Sequence, residues 1–252
     1  MIPLYVVDTT ARRDRRVALE EWLSSRGFDS VTYASDCGAS VDWHELKPKH
    51  LDELELFPWR EAGSTNKWWD RELKLGEIAC SLAHHNIWEM IADGDRGWSV
   101  VIEDDAVIDV SAAQLDGMLH ELTSVAPDIG LVYLDRRPWG QDEPSDALPD
   151  GVVYPGFSAC LHAYALSNAG AASLCRLDVR RSVMPVDDFV PAAIGVHPRP
   201  DIDSAVEPVL RHRAVAFTTS VARVLPREDW GSGTEESPFL TDWLEEQSRS
   251  AV

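Results

Sequence analysis

The sequence has few cysteines, few basic residues and no long apolar run, and each shortage excludes a class of protein. A chain of 252 residues can bury a sizeable core without disulfide bonds, so we expect reduced, mostly buried thiols. No stretch approaches the roughly 18 consecutive apolar residues of a membrane-spanning helix. The four cysteines form no C-x-x-C pair: Cys37, Cys80, Cys160 and Cys175.

The chain contains far fewer basic residues than acidic residues. Lys and Arg number 23 against 43 Asp and Glu, which gives a net charge of −20. Such a field repels polyanions, which argues against nucleic acid or an anionic membrane surface as a partner, although solubility alone also explains the charge. The first residues enter a strand-like segment without a basic, apolar leader, so we expect a cytoplasmic protein without a signal peptide.

The apolar pattern predicts one α/β domain with a central, mostly parallel sheet flanked by helices. A strand over residues 4–7, an amphipathic helix over 14–26 and a strand over 30–34 follow one another, an order typical of parallel sheets. We assign residues 1–226 to this domain and 227–252 to an acidic tail that forms a loose cover or is partly disordered. Further predicted elements are a helix over 76–92, strands over 98–102, 130–135, 157–166 and 214–221, and a short helix capped by Ser167.

Residues 36–73 form an irregular, tryptophan-rich excursion from the sheet. Long loops of this kind inside a compact domain are usually lids or binding loops. Indole rings suit stacking on the apolar face of a sugar, and packing within a lid explains them nearly as well. The tryptophans concerned are Trp43, Trp59, Trp68 and Trp69.

Three consecutive acids, Glu103, Asp104 and Asp105, end the apolar strand over 98–102. Ligands of open α/β sheets bind outside the carboxyl ends of the strands. Adjacent carboxylates repel one another unless a cation lies among them, and Mg²⁺ or Mn²⁺ commonly takes such oxygens together with substrate phosphates. A solvated turn that caps the next helix is the alternative explanation.

Two further acids, Asp187 and Asp188, lie between apolar residues. One of them can act as a general base that deprotonates an acceptor hydroxyl, and a capped turn is the alternative. The arginine cluster over residues 12–16 suits phosphate recognition, or forms a solvated first helical turn.

Five histidines complete the set of candidates. On the predicted helix, we expect His84 to be a core residue whose ring nitrogens are hydrogen-bonded, and we expect His85 to face water. Three others are possible extra metal ligands: His162, His197 and His212.

The order of several motifs resembles glycosyltransferase family 25, which includes lipooligosaccharide and collagen galactosyltransferases. The resemblance extends over roughly residues 4–225 in the family's order. The matching blocks are Val6-Val7-Asp8, Asp14-Arg15-Arg16, Gly76 to Cys80 with His84 and Trp88, Ile102 to Asp105, Leu131 to Leu134, His162 to Ser167 with Gly170-Ala171, and Pro185-Val186-Asp187.

The resemblance implies a GT-A-like nucleotide-sugar fold, a UDP-sugar donor with galactose as the leading sugar, a bound Mn²⁺ or Mg²⁺, and inversion at the anomeric carbon. It places Glu103 and Asp105 at the metal and Asp187 as the base, with Asp188 as the alternative. The nucleotide would lie against Val7, Asp8, Arg15 and Asp104.

Two departures from the family pattern concern the acceptor. Ala83 stands where the family usually has serine, and His162 stands where a small residue is common. A glycan, a peptide or a small molecule therefore remains open as the acceptor. The rival interpretation is a module of the same fold that binds a nucleotide sugar or glycan without turnover.

Overall fold

The computed structural model describes residues 2–9, 13–95, 97–225 and 237–250, with only the backbone described at 13, 14 and 250. The strands are β1 (Leu4–Val7), β2 (Val31–Tyr33), β3 (Trp98–Glu103), β4 (Ala106–Ile108), β5 (Leu131–Pro138), β6 (Glu143–Pro144), β7 (Val152–Tyr154), β8 (Ser158–Ser167), β9 (Ala214–Phe217) and β10 (Ala222–Val224). The helices are α1 (Arg13–Ser25), α2 (Ala34–Cys37), α3 (Pro48–Leu51), α4 (Leu75–Ala92), α5 (Ala112–Val125), α6 (Asn168–Leu177), α7 (Val186–Ile194), α8 (Pro200–Ala205) and α9 (Leu240–Ser250), with 3-10 turns at Trp43–Glu45 and Val179–Arg181.

An eight-stranded sheet forms the centre of the described structure, in the order β2-β1-β3-β8-β5-β9-β7-β6. β1 pairs in parallel with β2 and β3, and β5 pairs in parallel with β9. β8 runs antiparallel between β3 and β5, and β7 runs antiparallel to β9 and β6. All strands of this sheet except β7 and β8 therefore point the same way, and the prediction of a mostly parallel, GT-A-like α/β sheet is confirmed.

The strand directions bring the candidate residues to one edge of the sheet. β1 and β3 end at this edge, where Val7 lies opposite Glu103 in the parallel ladder. β8 is antiparallel to β3 and therefore begins there. Asp8, Glu103 and the first residues of β8 thus share the edge at which open α/β sheets bind their ligands.

Helices cover both faces of the sheet because its central strands are apolar on both sides. In β3, Val101 belongs to one hydrophobic cluster, whereas Val100 and Ile102 belong to the other. Helices α4, α6 and α7 contribute to the first cluster, and α1 and α5 contribute to the second. These layers hold the carboxyl edge of the sheet in place.

Several predictions about local structure are wrong. The strand predicted over 214–221 ends at Phe217, and the chain turns into β10, which pairs with β4 in a separate two-stranded sheet. Helix α5 is absent from the predicted elements, although Ser111 and Gln114 form a capping box at its start. All four cysteines are free, but Cys37 is exposed and the others are only partly buried.

The acidic tail predicted over 227–252 is not loose throughout. It contains α9, in which Trp243 is 8% exposed and packs with Leu75 and Ile78 of α4. Residues 226–236 and 251–252 lie outside the described residues. None of the helices in the described part of the chain combines the length and apolar character of a membrane-spanning segment.

Helix α6 begins where two glycines allow the backbone to make a close contact. The side chain of Ser167 accepts a hydrogen bond from the N–H of Gly170, which caps the helix as predicted. A Cβ atom on Gly170 would lie 2.2 Å from the carbonyl oxygen of Gly130. Because that neighbour is backbone, a side chain fits at residue 170 only if the sheet and the helix move apart.

We expect Gly170→Ala to lower the free energy of unfolding by about 2 kcal/mol, since overpacking a tight contact forces backbone shifts. In a chain of this size the melting temperature falls by about 4–8 °C. Gly117→Ala is the matched control, because Gly117 lies in α5 with nothing within 4 Å of its added Cβ. That variant should be unchanged or up to about 1 kcal/mol more stable. Equal melting temperatures for the two variants would contradict this account of the contact.

Candidate active site

The acidic triplet at the end of β3 is divided between two environments. Glu103 and Asp105 line a cavity of about 540 Å³ at the carboxyl edge of the sheet. Asp104 points elsewhere and pairs with Arg15 of α1, whose side chain is 4% exposed. Asp104 is thus engaged away from the cavity, whereas Glu103 and Asp105 face it, Glu103 with its Oε1 3.6 Å from Nε2 of His84.

Elements from much of the chain contribute to the wall of this cavity. Its volume falls in the range of about 300–1,000 Å³ that small-molecule sites commonly have. The lining residues are Trp68, Arg71, Lys74, Glu77, Cys80, Glu103, Asp105, Arg137, Cys160, His162, Pro185, Val186, Asp187, Val224 and Phe239.

Asp187 lies in the first turn of α7 and faces the two acids of β3 across the same cavity. Its Oδ1 atom is buried without a hydrogen-bond partner among the described residues. Burial, together with the charge of Glu103, raises the pKa of Asp187 to about 7, although His162 opposes the shift. A carboxylate with a pKa near neutrality is well suited to accept a proton from a substrate hydroxyl.

The pKa values of the two acids that line the cavity are shifted in opposite directions. Burial alone would raise the pKa of Glu103, but the contacts with His84 and the charge of His162 outweigh it and lower that pKa to about 2. For Asp105, burial and the neighbouring charge of Glu103 raise the pKa.

The donor set fits a hard divalent cation. Oδ1 of Asp105 is buried without a hydrogen-bond partner among the described residues, and Oδ1 of Asp187 is in the same state. Unpaired, buried carboxylate oxygens are costly unless a cation or a donor reaches them. Glu103 and Asp105 would hold the ion, because Mg²⁺ and Mn²⁺ prefer oxygen ligands and commonly take one or two carboxylates.

Asp188, the alternative candidate base, is 2% exposed, and both oxygens of its carboxylate accept hydrogen bonds. Its Oδ1 accepts hydrogen bonds from Nε2 of His197 at 2.9 Å and from Nε1 of Trp69 at 3.3 Å. Its Oδ2 accepts from Nε1 of Trp68 at 3.1 Å. The geometry therefore gives Asp188 the role of fixing the tryptophan-rich segment beside the cavity, and leaves Asp187 as the candidate base.

We expect Asp188→Ala to lower the free energy of unfolding by about 3 kcal/mol or more, because three N–H donors lose a shared buried acceptor. Tryptophan emission should shift to longer wavelength as Trp68 and Trp69 gain contact with water. Chemical denaturation followed by fluorescence measures both effects. Glu55→Gln is the control, since Glu55 pairs with Arg181 at the surface and should change stability by less than about 0.5 kcal/mol. A loss no larger than the control's would refute the anchoring role.

The predicted nucleotide-binding residues gather at the ends of β1 and β3. The backbone N–H of Asp104 donates to the carbonyl of Val7 at 3.1 Å. The carboxylate of Asp8 is 6% exposed and accepts hydrogen bonds from the N–H of Ser35 at 2.8 Å and from its hydroxyl at 2.6 Å. Burial raises the pKa of Asp104 to about 6, although Arg15 opposes the shift.

Arg16, a second member of the arginine cluster, has a different role from Arg15. Arg16 forms surface ion pairs with Glu20 and Asp36, which matches a solvated helical turn. Arg12 and the side chain of Arg13 lie outside the described residues.

The histidines separate into cavity residues and structural residues. His162 lines the cavity beside Cys160, whose φ of 73° is unusual for a residue with a side chain. The prediction that His85 faces water is wrong: it is 1% exposed, and its Nε2 lies 2.7 Å from Nη1 of Arg180. His197 binds Asp188, and His212 packs edge-on against Tyr154, so neither joins the described cavity wall.

Sequence reasoning misses several residues of the cavity wall. Arg137 is the second-to-last residue of β5, and Lys74 immediately precedes α4. Phe239 immediately precedes α9 and forms an isolated bridge with Lys74. None of these residues lies in a recognisable motif. The only available signal is that 131–134 and 76–80 belong to blocks resembling the family, which marks their flanks as close to the site.

Comparisons with known proteins show which proteins this chain resembles. A family model described as "Glycosyltransferase family 25 (LPS biosynthesis protein)" matches residues 1–141, which include the acidic triplet but not Asp187. The chain is 31% identical over 260 residues to procollagen galactosyltransferase 1-A of Xenopus laevis, an alignment that covers 98% of this chain and 41% of that protein.

Two other relatives carry less specific names. A glycosyltransferase 25 family member of Drosophila melanogaster is 26% identical over 248 residues, covering 98% of this chain and 38% of that protein. A Rattus norvegicus protein named "Probable inactive glycosyltransferase 25 family member 3" is 27% identical over 256 residues, covering 98% and 42%. The chain spans about two fifths of the length of these curated relatives.

Proposed function

Because the chain belongs to glycosyltransferase family 25, we propose that it is an inverting, metal-dependent hexosyltransferase with a UDP-sugar as donor and galactose as its leading sugar. The observation that carries the proposal is one cavity in which Asp187 faces Glu103 and Asp105. The name of the Xenopus relative supports galactose. A cytoplasmic location belongs to the same proposal.

In the proposed reaction, an acceptor hydroxyl attacks the anomeric carbon of the donor sugar while the bond to the diphosphate breaks. Asp187 takes the hydroxyl proton as the new glycosidic bond forms, and UDP leaves from the opposite face. Mn²⁺ or Mg²⁺ held by Glu103 and Asp105 would supply Lewis-acid stabilisation of the charge on the departing diphosphate. The uridine end would lie toward Arg15 and Asp104, and the acceptor toward Trp68.

The acceptor is a hydroxyl-bearing glycan, peptide or small molecule, and a peptide is favoured by the relatives named for procollagen. The protein with Mn²⁺ and UDP-galactose should be incubated with acceptors of each class, and products should be read by mass spectrometry. A product heavier by one hexose with the β-anomeric configuration, from an α-linked donor, supports inversion. An α-linked product would refute it.

The second candidate is a nucleotide-sugar or glycan-binding module without turnover, which the relative named as inactive favours. This chain keeps acids at all three positions that the proposed reaction needs, which favours the enzyme. Metal-dependent binding of UDP with no product and no released UDP across all three acceptor classes would favour the module.

A further inference from the structure

We propose that Cys80, His84 and Glu103 together form a binding site for a soft divalent cation such as Zn²⁺. One ligand atom from each residue, Sγ, an imidazole nitrogen and a carboxylate oxygen, lies within 4.8 Å of the other two. This site differs from the all-oxygen site proposed above, which uses Asp105 and shares only Glu103.

The spacing along the chain gives the site its geometry. Cys80 and His84 are four residues apart on α4 and therefore lie on the same helical face, one turn apart. Glu103 reaches them from the end of β3. Its Oε1 lies 3.8 Å from Sγ of Cys80 and 3.6 Å from Nε2 of His84.

The distance between His84 and Glu103 suits ligands of a common ion better than a direct hydrogen bond, whereas the thiol of Cys80 can donate a weak hydrogen bond to Glu103. A nitrogen–oxygen distance of 3.6 Å is too long for a hydrogen bond. Around a tetrahedral zinc, with bonds of about 2.0–2.3 Å, neighbouring ligand atoms lie roughly 3.3–3.6 Å apart. The two measured distances, 3.6 and 3.8 Å, are close to that spacing, and Cys80 and Glu103 also line the cavity.

The hydrogen bonding of His84 supports a missing ligand at its Nε2. The side chain is fully buried, yet its Nε2 has no hydrogen-bond partner among the described residues. The other nitrogen, Nδ1, lies 2.9 Å from the hydroxyl of Tyr164, which also accepts a hydrogen bond from Nε1 of Trp88 at 2.7 Å. In the tautomer that binds a metal, Nδ1–H of His84 donates to the hydroxyl oxygen of Tyr164, and the lone pair of Nε2 is left for the ion, which is the usual arrangement around a metal-bound histidine.

The chemistry of the donor set selects the ion. Thiolate and imidazole ligands favour Zn²⁺ and similar soft or borderline ions over Mg²⁺. Burial raises the pKa of the Cys80 thiol well above its usual value, and the negative charges of Glu103, Asp187 and Asp105 raise it further. The same three charges favour a cation beside the sulfur. Binding replaces the thiol proton of Cys80 by the metal.

A consequence follows for catalysis, and it rests on the proposed function. An ion held by Cys80 and His84 takes Glu103 away from the oxygen site. Soft ions should therefore inhibit a transfer reaction that Mn²⁺ or Mg²⁺ supports.

Co²⁺ titration of the whole protein tests the site without any assay of activity. Thiolate-bound Co²⁺ gives a charge-transfer absorption in the near ultraviolet, and added Zn²⁺ should abolish it. We expect the band in the wild type and its loss, or at least about tenfold weaker binding, in Cys80→Ser and His84→Asn. Cys160→Ser is the matched control, because Cys160 lines the same cavity outside the cluster, and it should keep the band.

Three results would overturn the site: no band in the wild type, a band unchanged in Cys80→Ser, or a band lost only in Cys160→Ser. Melting curves of each variant exclude unfolding as the cause of a lost band. Transfer activity without a Co²⁺ band refutes the soft-ion site alone. A band without any transfer in Mn²⁺ counts against the proposed function and leaves the site standing.

Discussion

Replacing Asp187 by asparagine is expected to lower kcat/KM for sugar transfer by about 10²–10⁴, the usual contribution of a general base. Asparagine keeps the shape of the side chain but cannot take a proton from the acceptor hydroxyl. Metal-dependent binding of UDP should be retained, because the proposed metal ligands, Glu103 and Asp105, lie at and just beyond the end of β3. Steady-state kinetics with isothermal titration of UDP separates the two effects, and Glu55→Gln serves as the active control.

The same variant makes a prediction about stability and pH in the metal-free protein. The carboxyl of Asp187 has a folded pKa of about 7, above its ordinary value of 3.8. Between these values the folded state binds more protons than the unfolded state, so this group makes the protein less stable as pH rises. Asp187→Asn should therefore show a smaller fall in melting temperature between pH 5 and pH 8 than the wild type. An unchanged rate of transfer would remove Asp187 as the base, whatever the stability.

Asp105→Asn is expected to abolish the joint stabilisation of the protein by Mn²⁺ and UDP. At a ligand concentration near 100 Kd, binding stabilises the wild type by about 2.7 kcal/mol, or a rise in melting temperature of about 5–10 °C. The variant should show no such rise with metal and UDP together, and its transfer activity should be lost. Thermal shift with UDP alone, Mn²⁺ alone and both together makes the comparison.

Asp104→Asn is the matched control for charge, one residue away. It removes the same charge but keeps an acceptor for Arg15, and its side chain is outside the described cavity wall. Mn²⁺ binding, followed by electron paramagnetic resonance, should persist in this variant and disappear in Asp105→Asn. Equal Mn²⁺ binding in both variants would show that Asp105 is not a ligand.

The sequence predicts those parts of the fold in which local pattern and tertiary structure agree. β1, α4, β3 and the Ser167 cap are predicted because each combines a clear apolar period with a terminal signal. The predicted strand is longer than β9. The residues Thr218 to Ser220 fit a strand pattern, but the chain turns there and continues into β10.

The candidate site is predictable only where its residues lie in one motif. Glu103 and Asp105 stand together at a strand end, so their shared edge follows from topology. The burial of His85 and the two indole donors to Asp188 depend on partners 95 and about 120 residues away, which no local pattern reveals. His84 is predicted to be a core residue with both ring nitrogens hydrogen-bonded. Among the described residues, only Nδ1 has a hydrogen-bond partner.

The cavity wall contains residues from Trp68 to Phe239, and the bridge between Phe239 and Lys74 joins distant parts of the chain. Contacts of such long range form late, because loop-closure entropy must be overcome before they stabilise anything. During synthesis, the acids of β3 emerge long before the residue that completes the wall around them. The sheet can therefore assemble on the ribosome while the cavity stays open, and a competent site is acquired only after residue 239 has left the exit tunnel.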